Sequence, residues 1–154
     1  LESLKKIKMF KHIKQIIVLQ RMINISLPIY YQQTRLKKVM VGMNWLRNAH
    51  FQVSNKAKKH YHSLIIYKLQ SCNTIIDGEY FIDYRLFYKN KSCDMMNVIS
   101  VIDKFLNDSL QELGVVQNDN VLFYTGCNVK VAGQDRECPR VEIIISKQPV
   151  KLIN

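Results

Sequence analysis

The stretch Cys93–Asp119, CDMMNVISVIDKFLNDSLQELGVVQND, decides the fold class. Wound at about 100° per residue, it puts Val98, Val101, Ile102, Phe105, Leu106, Ser109 and Leu113 on one broad face. Asn97, Ser100, Lys104, Asn107, Asp108 and Gln111 fall on the other. That is an amphipathic helix with one side laid on a sheet. Asp94 stands at its start, where a carboxylate caps free N–H groups and meets the positive end of the helix dipole. Lys104 and Asp108 are i, i+4 neighbours, spaced for a salt bridge.

Working outward, DGEYFIDYRLFYKN (77–90) precedes the helix. Asp77-Gly78 makes a turn, and Tyr80, Ile82, Tyr84, Leu86 and Tyr88 alternate with Phe81, Asp83, Arg85 and Phe87, a long strand. After the helix, NVLFYTGCNVKVAGQD (120–135) and RVEIIIS (140–146) read as two more strands, parted by a turn region from Gly133 to Pro139. Upstream, SNKAKKHYHSLIIYKL (54–69) predicts a helix capped by Ser54 or Asn55, and MINISLPIY (22–30) predicts a strand ended by Pro28. The order strand, helix, strand, helix, strand, strand predicts an α/β (α+β) fold, a mixed sheet with two main helices packed on it. Residues 1–21 read as a basic, helix-prone leader, an upstream or non-native extension, with Met22 the expected native start.

At 154 residues with 47% hydrophobic side chains the chain is long enough for one packed domain, and no apolar run is long enough to span a membrane. A cytoplasmic protein without a small-molecule substrate is expected. Cys72, Cys93, Cys127 and Cys138 form no C-x-x-C pair, so neither a disulfide framework nor a zinc knuckle is encoded. His60 and His62 lack a suitably spaced third ligand, which argues against zinc.

The net charge of +11 is unevenly spread. No acidic residue lies between Glu2 and Asp77, the interval that holds Arg35, Lys37, Lys38, Arg47, Lys56, Lys58, Lys59 and Lys68. A basic half beside an acid-bearing half suits a protein that grips polyanionic nucleic acid with one surface and holds a cation with another. The plainer account is that the lysines solvate a helix, Asp94 is only a cap, Lys104 and Asp108 a surface ion pair and Asp119 a turn residue.

The segment CDMMNV…DKFLNDSLQELGVVQND resembles the RusA family of Holliday junction resolvases. That family's hallmark is D-x-D-N, a lysine, D-[AS]-L with a following glycine, and an acidic pair before a strand. LPIYYQQ, NWLRNAH, KAKKHYH and GQDRECPRVEI are similar to a phage-borne branch of it, so the resemblance runs from Met22 to about Ser146. It implies a small homodimeric, Mg²⁺-dependent endodeoxyribonuclease that binds four-way DNA junctions and nicks opposite strands, in the host cytoplasm if phage-encoded, with 22–154 as the RusA-like domain.

Carried over by position, Asp94 matches the first acid, Asn97 the asparagine, Lys104 the lysine, Asp108 the acid of D-[AS]-L and Asp119 the second acid of the closing pair. Met96 stands where the better-known branch has its second aspartate, Asn118 replaces the first closing acid, and one extra helical turn separates Asn97 from Lys104. Magnesium takes a few carboxylates and completes its octahedron with phosphate and water. Asp94 and Asp119 are the expected direct ligands. Asp103 or Asp108 would supply a third acid, and they stand about 140° apart on the helix. Lys104 would stabilise the charged transition state. Arg35, Lys37, Lys38, Arg47, Lys56, Lys58 and Lys59 would bind phosphates. Trp45 and Tyr61 either stack on exposed bases or belong to the core. Asp135, Arg136 and Arg140 form a turn or a DNA contact. Two rivals stay open: a junction-binding protein that cuts nothing, and a basic nucleic-acid-binding module whose acids only cap and pair.

Overall fold

The computed structural model describes residues 5–9, 22–70, 72 and 74–147. Of the expected leader, residues 5–9 are helical and the rest lies outside the described residues. The elements are β1 (Ile23–Pro28), β2 (Tyr30–Gln32), β3 (Lys38–Met40), α1 (Met43–Asn48), α2 (Phe51–Leu69), β4 (Tyr80–Tyr88), α3 (Met95–Glu112), β5 (Tyr124–Gln134) and β6 (Arg140–Ser146).

Four strands form a mixed sheet in the order β1-β6-β4-β5, and β2 and β3 form a separate antiparallel pair. β6 runs antiparallel to both β1 and β4, while β4 and β5 are parallel. Parallel neighbours need a crossover, and α3 is that crossover. The expected sheet with two main helices is present. β5 and β6, adjacent in sequence, are not adjacent in the sheet, because β4 lies between them. Asp135 N–H bonds to the Tyr88 carbonyl at 2.9 Å as the chain passes the end of β4.

The core follows from the strand period. Ile23, Ile25 and Leu27 of β1, Val141, Ile143 and Ile145 of β6, and Tyr80, Ile82, Tyr84 and Leu86 of β4 all point to one buried face. α2 covers it with Ala57, Tyr61, Ile65 and Leu69, and α3 with Val98, Ile99, Val101, Ile102, Phe105, Leu106 and Leu110. Each fully buried Ile or Leu contributes about 1.5–3 kcal/mol. No helix among the described residues is long and apolar enough to cross a membrane.

Several local expectations are corrected. α2 begins at Phe51 rather than Ser54, because His50 is the cap and its Nδ1 accepts from Gln52 N–H at 3.3 Å. Leu113, expected on the apolar face, is the C-cap residue and is exposed. α3 stops there because Gly114 adopts a φ of 70°, and the N–H groups of Gly114 and Val115 close onto the carbonyls of Gln111 and Leu110 at 3.0 and 2.9 Å. Asn107, expected on the polar face, is 3% exposed, with its amide satisfied inside the protein.

Candidate nucleic-acid interface and acidic sites

The seven cations expected to meet phosphate are all exposed and fall on consecutive elements. Arg35, Lys37 and Lys38 lie at the β2–β3 hairpin, Arg47 on α1, and Lys56, Lys58 and Lys59 on α2. Lys56 and Lys59 are about 60° apart on the helix circle and share its outer flank. Lys58 is turned toward α3, where its Nζ meets Asp108 Oδ2 at 2.6 Å. The expected pairing of Asp108 with Lys104 along α3 is therefore replaced by a bridge between helices. Lys104 is exposed and makes no ion pair among the described residues.

Asp94 caps α3, its Oδ1 accepting from Asn97 N–H at 3.1 Å, and its side chain is otherwise exposed. The Asn97 Oδ1 accepts in turn from Asn44 N–H at 3.1 Å and so fixes α1 against the start of α3. A Cβ at Gly42 would stand 2.7 Å from Asn97 Nδ2, so a larger residue there would displace the Asn97 amide. Burial, and then the charge of Asp94, pushes the Cys93 thiol above its ordinary pKa and keeps it protonated. Cys72, Cys93, Cys127 and Cys138 are all free thiols.

Asp103 has a different setting. Its Oδ1 accepts from Tyr84 Oη at 2.5 Å, Tyr124 Oη at 2.6 Å and Asn107 Nδ2 at 3.0 Å. Tyr80 Oη donates to Asn107 Oδ1 at 2.7 Å, and the Tyr80 and Tyr124 rings stack at 5.2 Å. Burial raises the pKa of Tyr80, Tyr84 and Tyr124, and the Asp103 carboxylate raises all three further. Asp119, in the loop that follows α3, adds to the shift of Tyr80. Asp119 is exposed and makes no hydrogen bond or ion pair among the described residues. Beside it, Asn118 Oδ1 accepts from Asn120 N–H at 3.0 Å, so the residue standing in for the first closing acid shapes the turn.

α3 is continuous from Met95 to Glu112, and helical rise separates Asp94 from Asp108 by about 21 Å. Asp94 lies at the start of α3, and Asp119 lies beyond its end. Asp94, Asp103, Asp108 and Asp119 suit magnesium in kind, as hard oxygen donors, but Asp94 and Asp108 stand too far apart along α3 to share one ion. Among the described residues no three His, Cys, Asp or Glu side chains are grouped to hold a metal.

Other expected site residues take structural places. Tyr61 is fully buried and donates to the Pro28 carbonyl at 2.6 Å, so it belongs to the core. His62 Nδ1 meets Ser109 Oγ at 3.1 Å, and His60 packs on Tyr31 at 5.4 Å. Asp135 closes the β5–β6 turn, accepting from Glu137 N–H, Cys138 N–H and Arg140 Nη1. Those backbone and guanidinium donors hold its carboxyl below the usual range. Arg140 also binds Glu142 at 2.8 Å and lies 4.0 Å over the Phe87 ring, which makes it an anchor of the turn.

No protein-family model and no curated protein matches the chain.

Sequence reasoning named Trp45 as a stacking or core residue but not the cleft that it lines. An open cleft of about 490 Å³ lies between the β2–β3 hairpin and α1, lined by Gln33, Lys37, Asn44, Trp45, Asn48 and His50 among others. Trp45 is half-buried and is held on one side by Tyr31, ring centroids 6.3 Å apart. Gln33 Oε1 is buried without a hydrogen-bond partner among the described residues. An unmet acceptor of this kind costs about 1–3 kcal/mol. The signal available was the tryptophan in NWLRNAH, but the opposite wall, with Gln33, belongs to a hairpin that the sequence did not announce.

Proposed function

We propose that the chain is a RusA-like, Mg²⁺-dependent endodeoxyribonuclease that acts in the cytoplasm as a homodimer and resolves four-way DNA junctions by paired nicks. The observation that carries this reading is the Lys58–Asp108 bridge at 2.6 Å, which sets the exposed cations of α2 beside the acid-bearing helix α3. A nuclease needs that juxtaposition, because it must hold a phosphate backbone next to its acids. Arg35, Lys37, Lys38, Arg47, Lys56 and Lys59 would position the DNA without reading its sequence. The fold supplies the β-α-β frame that carries Asp94 and Asp119 at the two ends of α3.

The separation of those acids is reconciled by the dimer. Two symmetric cuts call for two sites related by a two-fold axis. A two-fold that pairs copies with their α3 helices antiparallel would set Asp94 of one protomer against the partner's Asp119. Magnesium held there would supply an activated water and neutralise charge on the attacked phosphate. Lys104, exposed on α3, would add a fixed cation near the scissile group.

A second reading has its own support. Met96 is 53% exposed in the place of an acid. A thioether there offers no hard oxygen to magnesium, which suits a protein that binds junctions without cutting them. Incubating a labelled four-way junction beside linear duplex, with Mg²⁺ and with chelator, separates the two. Junction-selective nicking that needs Mg²⁺ and is lost in Asp119→Asn, with binding retained, is the expected result. Tight junction binding with no product would establish the second reading, and equal weak binding to every nucleic acid would remove both.

A further inference from the structure

We infer that the cleft between the β2–β3 hairpin and α1 receives an unstacked nucleobase of single-stranded DNA, with Trp45 as the stacking surface and Gln33 Oε1 as a hydrogen-bond acceptor for a base N–H. The inference rests on the proposed action on DNA and adds to it a base-binding site that phosphate contacts do not require.

Each wall of the cleft has a property that a base would use. Trp45 is half-buried and fixed by Tyr31, so its ring is preorganised. Stacking needs no sequence match, because every base has a π-face. Gln33 lines the cleft, and its Oε1 has no partner among the described residues and no exposed surface, so Gln33 must turn its amide into the cleft to accept from a base. An incoming base N–H would satisfy it, whereas an aliphatic ligand would not. Lys37 lies on the rim as a cation for the phosphate of the same nucleotide. Asn48 donates its Nδ2–H to the Asn44 carbonyl at 2.8 Å, which leaves its Oδ1 as a further acceptor in the wall.

The cleft is also joined to a candidate acid. Asn44 N–H donates to Asn97 Oδ1, and Asn97 N–H donates to Asp94 Oδ1, each at 3.1 Å. A base seated against α1 thus lies two hydrogen bonds from Asp94. A strand that leaves its stack at a branch point would be held by one base while its backbone passes the start of α3.

Trp45 is the single tryptophan of the chain, so its fluorescence reports on the cleft without mutation. The probes are a short single-stranded oligodeoxynucleotide and an abasic strand of equal length, which carries the same phosphates and no bases. The base-bearing strand should bind about tenfold more tightly than the abasic one and quench Trp45. Gln33→Leu should remove most of that preference while leaving abasic-strand affinity unchanged. Trp45→Phe, which keeps a ring in place, should retain part of it. Equal affinity for the two strands, or binding of the base-bearing strand with no change in Trp45 emission, would overturn the base site and leave the DNA reading standing. Binding of neither strand nor of a four-way junction would overturn both.

Discussion

Asp103 is the residue on which most polar groups converge, and its value can be argued from what each substitution leaves behind. Asp103→Ala would strand the hydroxyls of Tyr84 and Tyr124 and an amide N–H of Asn107, which now share one oxygen. Losing an acceptor for buried donors costs about 1–3 kcal/mol for each left unmet, so this variant should unfold at markedly lower denaturant. Asp103→Asn keeps an acceptor oxygen at the same place and should lose far less, a contrast that chemical denaturation would measure. The tyrosines make a separate prediction about pH. Their folded-state pKa values are raised above the ordinary 10.0, so the stability they confer is fully present below pH 10.0 and falls as pH rises beyond it. Melting temperature followed from neutral pH into the alkaline range should therefore drop above 10.0, and less steeply in Tyr84→Phe. A midpoint insensitive to alkali would show that these hydroxyls titrate as exposed phenols do.

At the scale of elements, the ends of α3 and the flank of α2 are testable by single changes. Gly114 has a φ of 70°, and a Cβ added to it would meet no atom within 4 Å, so Gly114→Ala meets only backbone strain. The left-handed conformation costs an L-residue about 1–2 kcal/mol, and calorimetry should find the variant less stable by that amount. On α2, removing one lysine proposed to meet phosphate should lower the slope of log affinity against log salt by about 1. Lys56→Ala and Lys59→Ala are expected to do so. Lys58→Ala should do less, because its charge is already engaged by Asp108. Much of this layout was legible beforehand. The period of α3 and the alternation of β4 come from side chains whose burial matches their spacing, and Pro28 marked the last residue of β1. The misses have local causes. A histidine cap at His50 resembles no ordinary helix start, and a three-residue strand pair carries too short a pattern to read. Asn107 looked polar because its partners Tyr80 and Asp103 come from a neighbouring strand and from its own helix, and only the folded chain brings all three together. The candidate site was legible as a set of residue types and not as a place. Spacing along a helix shows which acids share a face and that Asp94 and Asp119 flank it, but not that Asp108 turns to Lys58 of α2 and Asp103 to Tyr84 and Tyr124.

For the whole molecule, the separation of Asp94 from Asp119 turns the oligomeric state into a question about chemistry. If one chain held a complete site, Asp94, which caps the start of α3, and Asp119, which follows its end, would have to meet past a continuous helix from Met95 to Glu112, about 27 Å long by its rise. If two chains share each site, the acids need only face one another across a two-fold axis. The alternatives differ when two inactive variants are mixed. Asp94→Asn keeps a side-chain oxygen that caps almost as well as aspartate, and Asp119→Asn alters an exposed loop residue, so both variants should fold. In a mixed dimer one site receives both substitutions and the other receives Asp94 from one chain and the partner's Asp119, both intact. Each variant alone should be inactive on a four-way junction, and the re-equilibrated mixture should recover single-strand nicking without the paired cut. Random mixing forms the hetero-pair in about half of the dimers, each with one of its two sites restored, so recovery should approach about a quarter of the wild-type nicking rate. No recovery, with mixed dimers shown to form, would sink the shared site, and activity in Asp94→Asn alone would remove that acid from the chemistry.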